Sequence, residues 1–180
     1  MGNDYNNDHL DRQYNWLLND LENSKDSKWK IMFGHRPMYC TKITNANPGE
    51  CSIDTGFLRD GRSYTNGPRH SRLEILLHEY NIDFYFAGHM HSYERMYPTY
   101  RQQVIQTNYN KLKATIHIVS GSAGCNEDLD SFDHTNYPWS AFRSDTYGFG
   151  VLEIYNNTNA YWKQVFSSNG SILDEIYVNK

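Results

Sequence analysis

Apolar residues recur along the first half of this 180-residue chain first at helical spacing, then in short unbroken runs. From Asp8 to Asn23, Leu10, Tyr14, Leu17, Leu18 and Leu21 fall three or four positions apart, which predicts an amphipathic helix with one buried stripe. Trp29 to Phe33 and Ile82 to Ala87 are runs of strand formers too short for helices, and they predict two strands, the second of them buried. Leu73, Ile75, Leu76 and Leu77 suit a second helix ahead of the later strand. Strand, loop, helix and strand in that order make a βαβ-like unit, which favours parallel pairing of the two strands. Thr41 to Pro68, polar and rich in Gly, Asn and Pro, predicts a long loop of the kind that often shapes access to a site.

The second half alternates differently. Ala114–Ser120, Tyr147–Tyr155, Ala160–Phe166 and Ile172–Val178 read as strands. Asn156 to Asn159 and Ser168-Asn169-Gly170 are turn signals, so the last three strands predict an antiparallel meander. No internal repeat and no linker interrupts the chain. The pattern alone defines a mixed α and β protein with the length of one domain.

Composition narrows the function classes. Charged residues make up only 21% and aromatics 15%, with 15 Tyr and 4 Trp, which suits a packed globular protein better than a disordered one. The formal charge of −4 supplies no basic footprint for nucleic acid. No apolar run approaches a membrane span, and the residues from Met1 to Tyr5 are not a signal peptide. Cys40, Cys51 and Cys125 lack the CxxC spacing of a zinc ribbon. Cys40 and Cys51 bracket a loop containing Asn47-Pro48-Gly49 and read either as a short disulfide or as two buried thiols.

The candidate chemistry sits where the two predicted strands end. Gly34-His35 follows the first and Gly88-His89-Met90-His91 follows the second. In extended backbone, residues two apart point to the same side, so His89 and His91 can address one site. Gly88 lets the chain turn close to what they hold. The ends of neighbouring strands are where open α/β sheets place their sites, and neutral imidazole is a common ligand for zinc and iron. His35, His89 and His91 are therefore the predicted metal ligands. His9, His78, His117 and His134 carry no such pattern and read as structural.

The words around those histidines resemble a known family. Gly34-His35-Arg36-Pro37-Met38-Tyr39-Cys40 and Gly88-His89-Met90-His91-Ser92-Tyr93-Glu94-Arg95-Met96-Tyr97-Pro98 are similar to the last two metal motifs of purple acid phosphatases, a metallophosphoesterase family whose animal-type branch is the closer match. Gly121-Ser122-Ala123-Gly124-Cys125, Trp139-Ser140-Ala141-Phe142-Arg143 and Tyr161-Trp162 extend the resemblance to the C-terminus. It implies the C-terminal part of a four-layer α/β/β/α sandwich. Residues 1–100 would be the second half of the catalytic domain, and 101–180 a strand-rich segment completing it. It also implies hydrolysis of phosphate monoesters at a dinuclear centre of Fe plus Zn, Fe or Mn. By motif position His35 and His89 would hold the divalent metal and His91 the ferric ion.

The family's first three metal motifs have no recognisable counterpart here, and Gly2-Asn3-Asp4 reads as a polar loop. Three neutral imidazoles cannot offset two multivalent cations, and a bridging carboxylate is needed to hold two metals about 3.5–4 Å apart. The chain thus resembles a C-terminal half, inactive alone, with an N-terminal half of the parent protein expected as its partner. A histidine pair that donates the leaving-group proton in plant-type members is absent. His70 lies in that interval, so it is the weak candidate, and the general acid stays unassigned. The family is usually secreted or lysosomal, which favours the Cys40–Cys51 disulfide. It also gives meaning to the acceptor sequons Asn156-Asn157-Thr158 and Asn169-Gly170-Ser171. Two further readings stay open: a non-catalytic truncated metal-binding domain, and an interaction module using Tyr5, Tyr64, Tyr100, Tyr109 and Tyr137.

Overall fold

The structure is a computed structural model that describes residues 7–41, 51, 55–63, 69–70, 72–124, 126–132 and 136–180. In chain order its elements are α1 (Asn7–Asn23), β1 (Ile31–Gly34), α2 (Thr55–Asp60), β2 (Arg62–Ser63), β3 (Arg69–His70), α3 (Leu73–Glu79), β4 (Phe84–Ala87) and β5 (Tyr93–Met96). Then come β6 (Thr99–Tyr100), β7 (Gln103–Val104), β8 (Ile116–Ser120), β9 (Ser140–Ser144), β10 (Gly148–Ile154), β11 (Asn159–Phe166) and β12 (Ile172–Asn179).

Five strands form one mixed sheet in the order β1-β4-β8-β5-β9. The βαβ expectation holds: β1 and β4 run parallel, with Gly34 opposite Ala87. β8 continues parallel to β4, and β5 and β9 reverse the direction. β10, β11 and β12 form the expected antiparallel meander.

Side-chain alternation sorts the five-stranded sheet into two faces. Phe84 and Phe86 of β4, Ile116 and Ile118 of β8 and Tyr93 of β5 pack against Ala160, Trp162, Ile176 and Val178 of the three-stranded sheet. Tyr85, Ala87, Val119 and Met96 point the other way, onto Leu17 and Leu21 of α1 and Leu76 and Leu77 of α3. All four residues of β4 are buried, as a central strand covered on both faces requires. The described residues therefore stack as a helical layer and two sheets.

Two strands depart from the expectation. Tyr93–Met96 and Ser140–Ser144 carry charged or hydroxyl residues and no apolar run, yet both pair within the sheet. β5 is buried throughout and β9 half-buried, and the buried Glu94 and Arg95 of β5 are satisfied by partners distant in the chain. The long loop predicted over Thr41–Pro68 also differs, since Thr55–Asp60 is helical and Arg62–Ser63 pairs with Arg69–His70. Residues 42–50, 52–54 and 64–68 lie outside the described residues, as do Gly2-Asn3-Asp4, Cys125 and His134. Cys40 and Cys51 are joined by a disulfide, with Cα atoms 5.3 Å apart. Of the loop tyrosines, Tyr100 lies in β6 stacked on His78, centroids 4.0 Å apart. Tyr109 accepts a hydrogen bond from Arg95.

Candidate metal-binding site

Parallel register brings the ends of β1 and β4 to one edge of the sheet. The Gly88 N–H donates to the His35 carbonyl at 3.1 Å, which locks the two Gly-His junctions side by side. His89 Nδ1 then lies 3.1 Å from His35 Nε2, with the rings nearly perpendicular at 73°. His35 is exposed and His89 half-buried.

Two glycines make this approach possible. A Cβ at Gly34 would stand 2.1 Å from the Tyr85 hydroxyl, which donates to the Arg36 carbonyl at 2.8 Å and holds the turn after His35. A Cβ at Gly121 would stand 1.9 Å from the Met90 oxygen and 2.4 Å from the Gly88 oxygen. The segment after β8 thus passes directly beneath the Gly88–His91 backbone. Gly88, which the spacing predicts to be the tight turn, has open space where a Cβ would go.

His91 is held by a different loop. Its N–H donates to Asp130 Oδ2 at 2.7 Å, and the Asp130 N–H donates back to the His91 carbonyl at 3.0 Å. His91 Nε2 lies 4.0 Å from Glu127 Oε2. The structure therefore brings His35 and His89 together and pairs His91 with the Asn126–Asp130 loop. Among the described residues, no three or more His, Cys, Asp or Glu side chains are grouped to hold one metal ion. His70 lies in β3, its backbone opposite Arg62. Sequence spacing offers no sign of Asp130 or Glu127, which belong to a polar stretch 36 to 39 residues beyond His91.

The Tyr93-Glu94-Arg95 motif beside the histidines holds the strand in place. Glu94 faces the helical side, where it accepts the Thr41 N–H at 2.7 Å, the Thr41 hydroxyl, and the Ser140 hydroxyl at 2.6 Å. Burial raises its carboxyl above the ordinary range, against the pull of these donors. Tyr93 and Arg95 face the second sheet and meet on Asp174. The Trp162 indole donates to the Tyr93 hydroxyl at 3.0 Å. Burial and the adjacent Asp174 carboxylate raise the Tyr93 phenol, so it stays protonated and donates. These contacts fix β5, and the Gly88–Ser92 segment leads directly into it.

Two imidazole nitrogens 3.1 Å apart fit neighbouring positions around one divalent cation, since ligands at about 2.0–2.1 Å stand roughly 3.0–3.4 Å from each other. The donor set does not fit two cations. It offers neutral nitrogen where a bridging carboxylate is required.

Comparison with known proteins identifies the family. Residues 2–93 match the calcineurin-like phosphoesterase family model, and residues 114–175 match that of the iron/zinc purple acid phosphatase-like protein C. The chain belongs to the calcineurin-like phosphoesterases, in their purple acid phosphatase branch. It is 38% identical to acid phosphatase type 7 of Danio rerio, over 98% of this chain and 42% of that protein. It is 36% identical to the probable inactive purple acid phosphatase 27 of Arabidopsis thaliana, over 59% of this chain and 18% of that protein. The purple acid phosphatase PPD1 from yellow lupin seeds superposes with a TM-score of 0.72 at 26% identity, covering 93% of this chain and 28% of that one. The chain thus spans about two-fifths of the length of the acid phosphatase relatives it matches. No helix among the described residues is long and apolar enough to cross a membrane.

Proposed function

We propose that this chain supplies the second half of an acid phosphatase centre that hydrolyses phosphate monoesters, and that it does not turn over alone. The observation that carries this reading is the His35–His89 pair, 3.1 Å apart at the ends of two parallel strands. His35 and His89 would hold a divalent metal, and His91 a second, ferric one. Such a centre supplies charge stabilisation to the phosphoryl group when it is bound. The carboxylates that bridge two cations would come from the N-terminal half that the resemblance implies.

The sheet edge supports that division. Phe33 of β1 is 75% exposed, and a cleft of about 430 Å³ is lined by Phe33, Phe86, Trp162 and the glycines that precede both histidines, Gly34 and Gly88. A further strand beside β1 would cover both. Secretion or lysosomal delivery of the parent protein, and glycosylation at Asn156 and Asn169, belong to the same reading. Both asparagines stand in exposed turns of the meander.

The test compares two proteins on p-nitrophenyl phosphate at acid pH, with metal content measured by elemental analysis. Lacking the bridging carboxylates, the 180-residue chain should carry at most one metal, held weakly by His35, His89 and His91 together, and show almost no hydrolysis. Joined to a relative's N-terminal half it should be active, and His89→Ala or His91→Ala should deplete metal and activity together. Robust metal-dependent turnover by the chain alone would overturn the division of labour. Full activity in the joined His91→Ala protein would overturn the ligand assignment. The likeness to a relative named as probably inactive, 36% identical over 59% of this chain, favours a second reading, a non-catalytic metal-binding domain. In that case the joined protein would stay inactive.

A further inference from the structure

We infer that Asp130 is the positioning residue for His91, a role that rests on reading His91 as a metal ligand. Both backbone polar groups of His91 are taken by this one residue. Its N–H reaches Asp130 Oδ2 at 2.7 Å, and its carbonyl accepts the Asp130 N–H at 3.0 Å. A carboxylate accepting a backbone N–H is a charge-assisted bond, about twice as strong as a neutral one. Together the two bonds fix the backbone of residue 91 and so the direction of its Cβ and ring.

The placement differs from that of the other two histidines. His35 and His89 follow strands that pair with one another and inherit their positions from the ladder. His91 lies in the irregular segment between β4 and β5, where no ladder bond reaches it. Asp130 takes the place of that ladder. Its own loop turns sharply just before it, where Asp128 adopts a left-handed conformation, φ +65°, which Asp tolerates better than most residues. The same turn sets Glu127 4.0 Å from the ring it helps to frame. Groups that orient a ligand commonly change metal affinity 10–100-fold when removed.

The experiment uses the 180-residue chain, amide NMR and a titration with cobalt(II). Asp130→Ala should move the His91 amide upfield and speed its exchange, leaving the His35 and His89 amides in place. It should also weaken cobalt binding reported at His91 by about tenfold or more. Asp130→Asn keeps an acceptor oxygen and should restore most of both effects. An unmoved His91 amide in Asp130→Ala overturns the inference. So does a loss of cobalt affinity that Asp130→Asn fails to restore, because charge and not placement would then be responsible. If Asp130→Ala does not fold, Asp130→Asn decides alone: a small upfield step supports the bond and no step overturns it. A parent chain whose His91 signals ignore cobalt defeats the metal reading, while the amide comparison still judges Asp130.

Discussion

Arg95 and Asp174 clasp the two sheets together through two parallel bonds, Nε to Oδ2 at 2.6 Å and Nη2 to Oδ1 at 2.8 Å. Both side chains are less than a tenth exposed, and the Tyr93 hydroxyl donates to the same carboxylate at 2.6 Å. Breaking such a pair from one side leaves a charge buried without its partner, at a cost of about 3–5 kcal/mol. Asp174→Ala should therefore lower the urea midpoint of unfolding far more than a change at an exposed carboxylate such as Asp26→Asn. An Asp174→Ala protein with an unchanged midpoint would mean that the ion pair contributes little to joining the sheets.

His117 makes stability depend on pH. It is buried against Tyr39, centroids 4.8 Å apart, and its Nδ1 has no hydrogen-bond partner. Burial, with Arg59 adding to it, pushes its pKa down to about 3. The unfolded chain takes up this proton near pH 6.5 and the folded one only near 3. The contribution is thus complete above 6.5 and is lost as pH falls towards 3, on the order of 1 kcal/mol per unit. Urea unfolding at pH 7, 6, 5 and 4 should show that slope, and His117→Phe should flatten it.

Gly121 tests whether the site loop is held from below. A methyl group 1.9 Å from the Met90 oxygen has to displace backbone, not a flexible side chain. Gly121→Ala should shift the His89 and His91 amide resonances and weaken zinc binding measured by calorimetry. Gly88→Ala, with open space at the same atom, should perturb them less. Equal effects from the two substitutions would contradict the close approach.

The Cys40–Cys51 bond closes a loop across a sequence separation of 11 residues. Chain entropy assigns such a closure about 3 kcal/mol. Reduction should lower the melting temperature, and unreduced peptide mapping should recover the two cysteines in one linked pair. A Cys40–Cys125 link would contradict the structure.

What the sequence disclosed follows the physics of each element. β1, β4 and the final meander are short runs of strand formers between turn residues, and period and punctuation suffice to find them. β5 and β9 escape that test. Glu94 and Arg95 look solvent-exposed until Thr41, Ser140 and Asp174 are brought 46 to 79 residues along the chain to meet them. The six residues of α2 are too few to show a helical period. At the site, His35 and His89 were legible because one Gly-His junction occurs twice after similar strands. Asp130 was not, because its partner is a backbone N–H that has no signature in sequence.

Among the described residues, no strand pairs with the outer edge of β1. An unpaired strand presents a row of free N–H and C=O groups, and here it also presents Phe33 and Ile31 to water. Natural sheets shield such edges with charge, proline or a bulge. Among the described residues β1 carries none of these on Ile31-Met32-Phe33-Gly34. Chains made without a strand to cover that edge will therefore tend to add to one another, strand by strand, as their concentration rises.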